Sequence, residues 1–163
     1  MIRGLGWLLA PVAGLALVAC PSAYQRTYDQ DMAQMEAQRQ AARSQEAAAH
    51  AEAQRYASVV YFATGSAALD DKATAELNWF LQQLQPYPLA TFEVNGFADK
   101  TGTEAKNQQL STERAQAVAA YLQAHGIASS RLYLQAFATQ FPASSNASAQ
   151  GRRDNRRVEV TVR

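Results

Sequence analysis

A positively charged side chain interrupts an otherwise apolar helical face in the second half of the sequence. The residues that share this face on a 3.6-residue period are Asn107, Leu110, Ser111, Arg114 and Val118. The apolar face of this helix should pack against a sheet, so the Arg114 guanidinium on that face needs an acid or another hydrogen-bond acceptor nearby. An unpaired buried charge is costly. Asp99, in the loop before this helix, is the nearest acid along the chain.

Two interpretations of Asp99 and Arg114 remain open at this point. In the first, the two side chains form a structural salt bridge that fixes the loop to the helix. In the second, they lie side by side in a small pocket for a zwitterionic ligand. A guanidinium presents a planar fork that suits a carboxylate, and an ionised Asp accepts hydrogen bonds from an ammonium group. Charge-assisted hydrogen bonds of this kind contribute about 1.5–3 kcal/mol each.

The elements that must position these residues follow from the periodicity of residues 57–163, which we predict to form the folded domain. The predicted strands are 58–62, 89–97, 131–137 and 157–163, and the predicted helices begin at 70 and run from 103 to 125. Gly126 supplies the left-handed residue that ends the second helix. The stretch from Ala138 to Asp154 predicts an irregular or partly helical excursion. The predicted fold class is α+β, a mixed sheet with helices on one face.

Composition excludes several kinds of function. The chain has 15 Lys+Arg and 14 Asp+Glu, a net charge of +1, which gives no reason to expect nucleic acid as a partner. One Cys and two His argue against an internal disulfide and a structural zinc site. We find no serine-nucleophile motif and no catalytic carboxylate pair, so we expect neither an enzyme nor a cofactor.

Residues 1–19 have the pattern of a signal peptide. Arg3 precedes an apolar run from 5 to 18, which is too short for a permanent membrane span. The ending Leu17-Val18-Ala19-Cys20 resembles the lipobox of bacterial lipoproteins, which implies cleavage before Cys20 and acylation of that residue. A plain secretory signal with an incidental thiol is the alternative. We predict a lipid anchor on Cys20 in the inner leaflet of the outer membrane, with the chain facing the periplasm.

Residues 20–56 predict a helical linker. From Pro21 to Tyr56 the chain is rich in Ala and Gln and lacks Leu, Ile, Val, Phe and Gly, so it favours helix but cannot form a core. A helix of about 30 residues would be about 45 Å long. Tyr28, Met35 and Ala42 recur every seven residues, a weak seam that leaves self-association open.

Several separated motifs in residues 58–163 resemble the OmpA-like C-terminal domain, the peptidoglycan-binding module of the type found in peptidoglycan-associated lipoproteins. The motifs are Gly96-Phe97-Ala98-Asp99-Lys100-Thr101-Gly102, Asn107, Leu110-Ser111, Arg114-Ala115 and Asn155-Arg156-Arg157-Val158-Glu159-Val160. The resemblance implies a β-α-β-α-β-β fold. It also implies noncovalent binding of the meso-diaminopimelate residue of peptidoglycan stem peptides.

Carried over position by position, the resemblance assigns roles to individual residues. Asp99 receives the ammonium group of the ligand, Arg114 receives its carboxylate, and Asn107 adds amide hydrogen bonds. The other residues assigned to the diaminopimelate site are Phe62, Ala63, Ala98, Thr101 and Arg156.

This chain departs from the family pattern at two of these positions. Ala63 and Ala98 stand where the family often has an Asp or Asn and a Thr. We therefore expect weaker binding, or replacement contacts from Thr64, Thr101 or backbone groups, with Asp99 and Arg114 still central. Arg156 and Asn155 either border the pocket or support the last strand. The neighbouring arginines are alternatively a surface for anionic envelope polymers.

Together, these features predict a mechanical tether that links the outer membrane to peptidoglycan. The alternative is an envelope scaffold that binds protein partners through the helical linker and carries a vestigial pocket.

Overall fold

The computed structural model describes residues 23–163. The predicted signal peptide, the predicted lipidation site Cys20 and the following Pro21 lie outside the described residues. Within residues 23–163, no helix is both long enough and apolar enough to cross a membrane.

Helix α1, Ala23–Ala53, has 31 residues and confirms the predicted helical segment. Most of its side chains are exposed, as expected for a stretch that lacks large aliphatic residues. Residues 43–163 form one compact unit, to which the last turns of α1 belong. Ala53, at the end of α1, is buried in the hydrophobic core of this unit.

Within residues 23–163, four strands form one mixed sheet, as predicted. The strands are β1, Ala57–Tyr61; β2, Phe92–Gly96; β3, Leu132–Ala136; and β4, Arg157–Val162. Their order is β1-β4-β2-β3, with β4 antiparallel to both neighbours and β2 parallel to β3. Val158 pairs with Val60 on one side and Gly96 on the other. The carboxyl ends of β1 and β2 therefore meet the beginning of β4 at one end of the sheet.

The helices that follow the strands confirm the α+β architecture. They are α2, Asp71–Leu84; α3, Glu104–Ala124; and the short α4, Ala149–Asn155, which lies in the predicted excursion. Asp70 caps α2 and Thr103 caps α3, each through a side-chain oxygen that accepts a backbone N–H. The largest buried apolar side chains between helices and sheet are Phe80, Phe92, Leu77, Leu122, Val60, Val94, Val118, Val158 and Val160.

Gly96 allows α3 to approach the end of β2 very closely. A Cβ atom at this position would lie 2.1 Å from the carbonyl oxygen of Ser111. Because that distance is far below van der Waals contact, a side chain at position 96 would push α3 outward. The contact fixes the height of α3 above the sheet one turn before Arg114.

Candidate functional site

The candidate site lies where the ends of β1 and β2 meet the beginning of β4. Phe62 follows β1, Asp99 follows β2 by three residues, and Arg156 directly precedes β4. Arg114 reaches the same place from α3. Phe62, Asp99 and Arg114 are buried, and the Arg156 side chain is 11% exposed. Register and close helix packing thus bring together residues from four separate parts of the chain.

Arg114 is fully buried and donates three hydrogen bonds to backbone carbonyls. Its Nε donates to Ser66 at 2.9 Å, Nη1 to Phe97 at 3.1 Å and Nη2 to Ala63 at 3.1 Å. The guanidinium carbon lies 5.3 Å from the centroid of the Phe62 ring. A guanidinium has five N–H donors, and these bonds use three of them. Arg114 links the loops that follow β1 and β2 to α3.

Asp99 forms its ion pair with Arg156 and not with Arg114. Its Oδ2 accepts from Arg156 Nη1 at 2.9 Å, and its Oδ1 accepts from the backbone N–H of Thr101 at 2.8 Å. Arg156 Nε donates to the carbonyl of Phe62 at 3.0 Å. The salt-bridge interpretation of Asp99 and Arg114 therefore does not describe the structure, because backbone carbonyls hold the Arg114 guanidinium.

The charged groups of this cluster influence one another. Burial raises the pKa of Asp99, but hydrogen bonds from Arg156 and Thr101 outweigh it and lower the pKa from its ordinary value of 3.8. Burial lowers the pKa of Arg114 to about 10; the charge of Arg156 adds to this shift and that of Asp99 opposes it. At neutral pH, Asp99 is ionised and Arg114 is protonated. The site thus places the Asp99 carboxylate, a hydrogen-bond acceptor, beside two guanidinium groups that donate hydrogen bonds.

The remaining sequence-predicted residues surround this cluster. Asn107 is buried in the first turns of α3, and its carboxamide forms no hydrogen bond with another residue that the structure describes. Ala98 is buried and its N–H donates to Ala138, whereas Ala63 is exposed and contributes its carbonyl to Arg114. Thr101 is exposed and contacts Asp99 through its N–H.

Two residues that support the site had no assigned role in the sequence. Ser66 contributes only a carbonyl oxygen to Arg114, and any residue type could supply that group. Ser111 is fully buried, and its Oγ accepts from Ala138 N–H at 3.2 Å and donates to the Gln108 carbonyl at 2.9 Å. The sequence feature that could have indicated this supporting role is the position of Ser111 on the apolar face of α3.

The two residues that open the last motif have different tasks. Asn155 bonds both ways to the Ser144 backbone, accepting at 3.0 Å and donating at 2.8 Å, so it fixes the loop between β3 and α4. Arg156 belongs to the candidate site itself. Asn155 therefore supports the loop before α4, and not the last strand as one of the two alternatives had it, whereas Arg156 lies in the candidate site.

Comparison with known proteins identifies the family. Residues 61–156 match the model of the OmpA family, more than half of the chain. The chain belongs to the OmpA family, and the matched residues run from the end of β1 to the residue before β4.

Individual relatives share the same segment. The chain is 36% identical over 103 residues to "Probable lipoprotein YiaD" of Escherichia coli (strain K12), covering 63% of this chain and 47% of that protein. It is 41% identical over 86 residues to "Peptidoglycan-binding protein ArfA" of Mycobacterium tuberculosis (strain H37Rv), covering 53% of this chain and 26% of that protein. The matched segment therefore spans less than half the length of these curated relatives.

A solved structure supports the same relationship. The cell wall anchor of the T6SS from Pseudomonas aeruginosa superimposes with a TM-score of 0.55 at 34% sequence identity, covering 65% of this chain and 80% of that chain. The similarity extends over most of that domain.

Proposed function

We propose that this chain is a lipid-anchored, non-enzymatic tether that binds peptidoglycan noncovalently through the meso-diaminopimelate of the stem peptide. The observation that carries the proposal is the buried cluster of Asp99, Arg114 and Arg156 at one end of the sheet. Two of the similar proteins are named as a peptidoglycan-binding protein and a cell wall anchor, which supports this choice of ligand.

The chemistry of the cluster fits an amino-acid head group. The ammonium group donates to the Asp99 carboxylate, which its hydrogen bonds keep ionised. Arg114 is fully buried in the free protein, so its unused N–H groups bind the ligand carboxylate only when the segment after β1 that covers it moves aside. The unpartnered carboxamide of Asn107 adds a hydrogen bond. Binding of the ammonium requires Asp99 to share its lone pairs with Arg156, so Arg156 sets the orientation of the carboxylate.

The same chemistry predicts specificity. A stem peptide with lysine in place of diaminopimelate keeps the side-chain ammonium but lacks the neighbouring carboxylate. Arg114 would then keep a buried donor without a partner, which costs about 1–3 kcal/mol. We expect lysine-type peptidoglycan to bind at least about tenfold more weakly.

The anchor completes the tether. We place the lipid on Cys20, in the inner leaflet of the outer membrane, with the domain in the periplasm. The 31 residues of α1 span about 45 Å, a distance suited to a spacer between a lipid surface and the cell wall. The similarity to a protein named as a probable lipoprotein supports this arrangement.

A sacculus pull-down tests the proposal. Residues 20–163 with Cys20→Ser should sediment with sacculi that contain meso-diaminopimelate, and the free amino acid should compete. Asp99→Asn, which keeps the shape of the side chain, should abolish sedimentation. Equal sedimentation of Asp99→Asn, or of wild type with lysine-type sacculi, would contradict diaminopimelate recognition.

A scaffold function remains the second candidate, because α1 exposes large side chains. Tyr24, Tyr28 and Met35 are 79%, 52% and 43% exposed. If the helix binds an envelope partner and the pocket is vestigial, deletion of residues 24–42 abolishes function while Asp99→Asn leaves cell-wall association unchanged. The tether hypothesis predicts instead that Asp99→Asn abolishes cell-wall association.

A further inference from the structure

A groove of about 800 Å³ lies beside the candidate site. It runs between the carboxyl-terminal part of β1, the first half of α2 and α4. Phe62, Ala63 and Arg156 belong both to this groove and to the candidate site. We call it the β1 groove. A ligand whose head group sits at Asp99 and Arg114 can therefore extend directly into it.

The acidic side chains that line the β1 groove already accept hydrogen bonds from other groups of the protein. Asp70 accepts from a backbone N–H of the first turn of α2 at 2.8 Å. Glu76 accepts from the Ser58 hydroxyl at 3.3 Å. Asp154 accepts from a serine hydroxyl at 3.1 Å and a glutamine amide at 2.7 Å. The bond of Glu76 joins α2 to β1, whereas Asp70 caps α2 and Asp154 bonds within α4 and to the loop before it.

Two basic side chains that line the same groove have no hydrogen-bond or ion-pair partner among the described residues. Lys72 on α2 and Arg153 on α4 line the groove and are exposed. Neither side chain forms an ion pair or a hydrogen bond with any residue that the structure describes. Two cations from opposite walls thus present unused donors to the same space, which suits an anionic group on the ligand.

The backbone of β1 adds a second kind of contact. β1 lies at the edge of the sheet and pairs only with β4 among the described strands. The Phe62 N–H donates to the Arg156 carbonyl at 2.9 Å. Because bonded residues alternate in an antiparallel pair, the backbone groups of Val59 and Tyr61 point to the open edge. Both residues line the groove, so an amide group of a bound ligand can form a hydrogen bond with their backbone groups.

We infer that the β1 groove binds an extended acidic peptide that is continuous with the head group at Asp99, and that Lys72 and Arg153 bind its free carboxylate. In a stem peptide this carboxylate belongs to the γ-linked glutamate that precedes diaminopimelate. The inference rests on the proposed function, because it needs the head group to occupy the neighbouring site.

Calorimetric titration of residues 20–163 with Cys20→Ser tests the inference. The ligands are free meso-diaminopimelate, the tripeptide L-Ala-γ-D-Glu-meso-diaminopimelate, and the same tripeptide with the glutamate carboxylate amidated. The double variant Lys72→Gln/Arg153→Gln should bind the acidic tripeptide about five- to tenfold more weakly than wild type. Its affinity for free meso-diaminopimelate and for the amidated tripeptide should not change.

A matched control removes two exposed cations elsewhere. Arg39→Gln/Arg43→Gln lowers the net charge equally but alters only α1, and it should leave all three affinities unchanged. Unchanged binding of the acidic tripeptide by Lys72→Gln/Arg153→Gln would overturn the groove inference and leave the proposed function intact. An equal loss for free meso-diaminopimelate would also overturn it. If wild type bound none of the three ligands, the proposed function itself would fail, and the inference with it.

Discussion

Asp99 and Arg156 form an ion pair at 2.9 Å although they lie 57 residues apart in the chain. One residue follows β2 and the other precedes β4, and the antiparallel register of these strands brings them together. The pair keeps Asp99 ionised and fixes the direction of its carboxylate. It also means that Arg156 contacts the group to which a ligand ammonium would bind.

Removal of Arg156 should affect stability and binding together. Arg156→Gln leaves a nearly buried carboxylate without its cation and removes the bond to the Phe62 carbonyl. Breaking a buried pair in this way costs about 3 kcal/mol. Urea unfolding of Arg156→Gln should show this loss, and the pKa of Asp99 should rise. The exposed Arg153→Gln is the control and should change stability by less than about 0.5 kcal/mol. Equal stability of the two variants would show that the ion pair is unimportant.

Arg114 should tolerate no replacement, including lysine. Arg114→Lys keeps the charge, but one ammonium group cannot reach the three carbonyls that the planar guanidinium contacts. We expect Arg114→Lys to lose about 2–4 kcal/mol of stability, and Arg114→Ala about 3–5 kcal/mol. Urea unfolding measures both values. If Arg114→Lys kept wild-type stability, the carbonyl contacts would not be what holds the loops.

Because of Asp99, the free energy of unfolding should fall as the solution becomes acidic. Its pKa in the folded protein is below the ordinary 3.8, so the folded state favours the ionised form. The resulting stabilisation is complete above the ordinary value and is lost as pH falls through the lower folded-state pKa. The stability difference between wild type and Asp99→Asn should therefore stay constant from pH 7 to about 5 and shrink below about pH 4. Thermal unfolding across this range measures it; a difference that does not change with acidification contradicts the predicted ionisation.

Gly96→Ala should disturb the site through the backbone. The added Cβ would lie 2.1 Å from the Ser111 carbonyl oxygen, so α3 must move away from β2. We expect a loss of about 1–3 kcal/mol and weaker ligand binding, because Arg114 moves with α3.

Gly126→Ala is the comparison for Gly96→Ala. Its φ is +96°, and a Cβ there would meet nothing within 4 Å, so the substitution adds backbone strain without displacing a neighbour. Gly126→Ala should lower the unfolding temperature but leave ligand affinity unchanged. Loss of affinity in both variants would show that general destabilisation, and not displacement of α3, is responsible.

The sequence predicts the elements well where hydrophobic periodicity is strong. Strands at 58–62 and 157–163 and a helix from 103 to 125 correspond to β1, β4 and α3 within one or two residues. The strand predicted from 89 begins only at Phe92, because the chain after α2 continues as turns, with Ala90 N–H donating to the Tyr87 carbonyl. Apolar composition alone does not distinguish the turn from Tyr87 to Ala90 from the strand that follows it.

The site was predictable in its residues but not in its pairings. The charged position on the apolar face of α3 indicated Arg114, and the neighbouring loop indicated Asp99. The structure pairs Asp99 with Arg156 because strand register, which local patterns do not reveal, places β4 beside β2. The partners of Arg114 are carbonyl oxygens, and no side-chain pattern in a sequence marks them.

The most direct test of the central claim is calorimetric titration of residues 20–163 with Cys20→Ser against two stem pentapeptides, L-Ala-γ-D-Glu-X-D-Ala-D-Ala, in which X is meso-diaminopimelate or L-lysine. Because the α-amine and α-carboxyl of this lysine are in amide bonds, only the diaminopimelate side chain ends in an ammonium beside a carboxylate. The account predicts saturable binding of the diaminopimelate peptide, affinity for the lysine peptide at least about tenfold lower, and no measurable binding by Asp99→Asn. Equal affinity for the two peptides, or unchanged binding by Asp99→Asn, would contradict it.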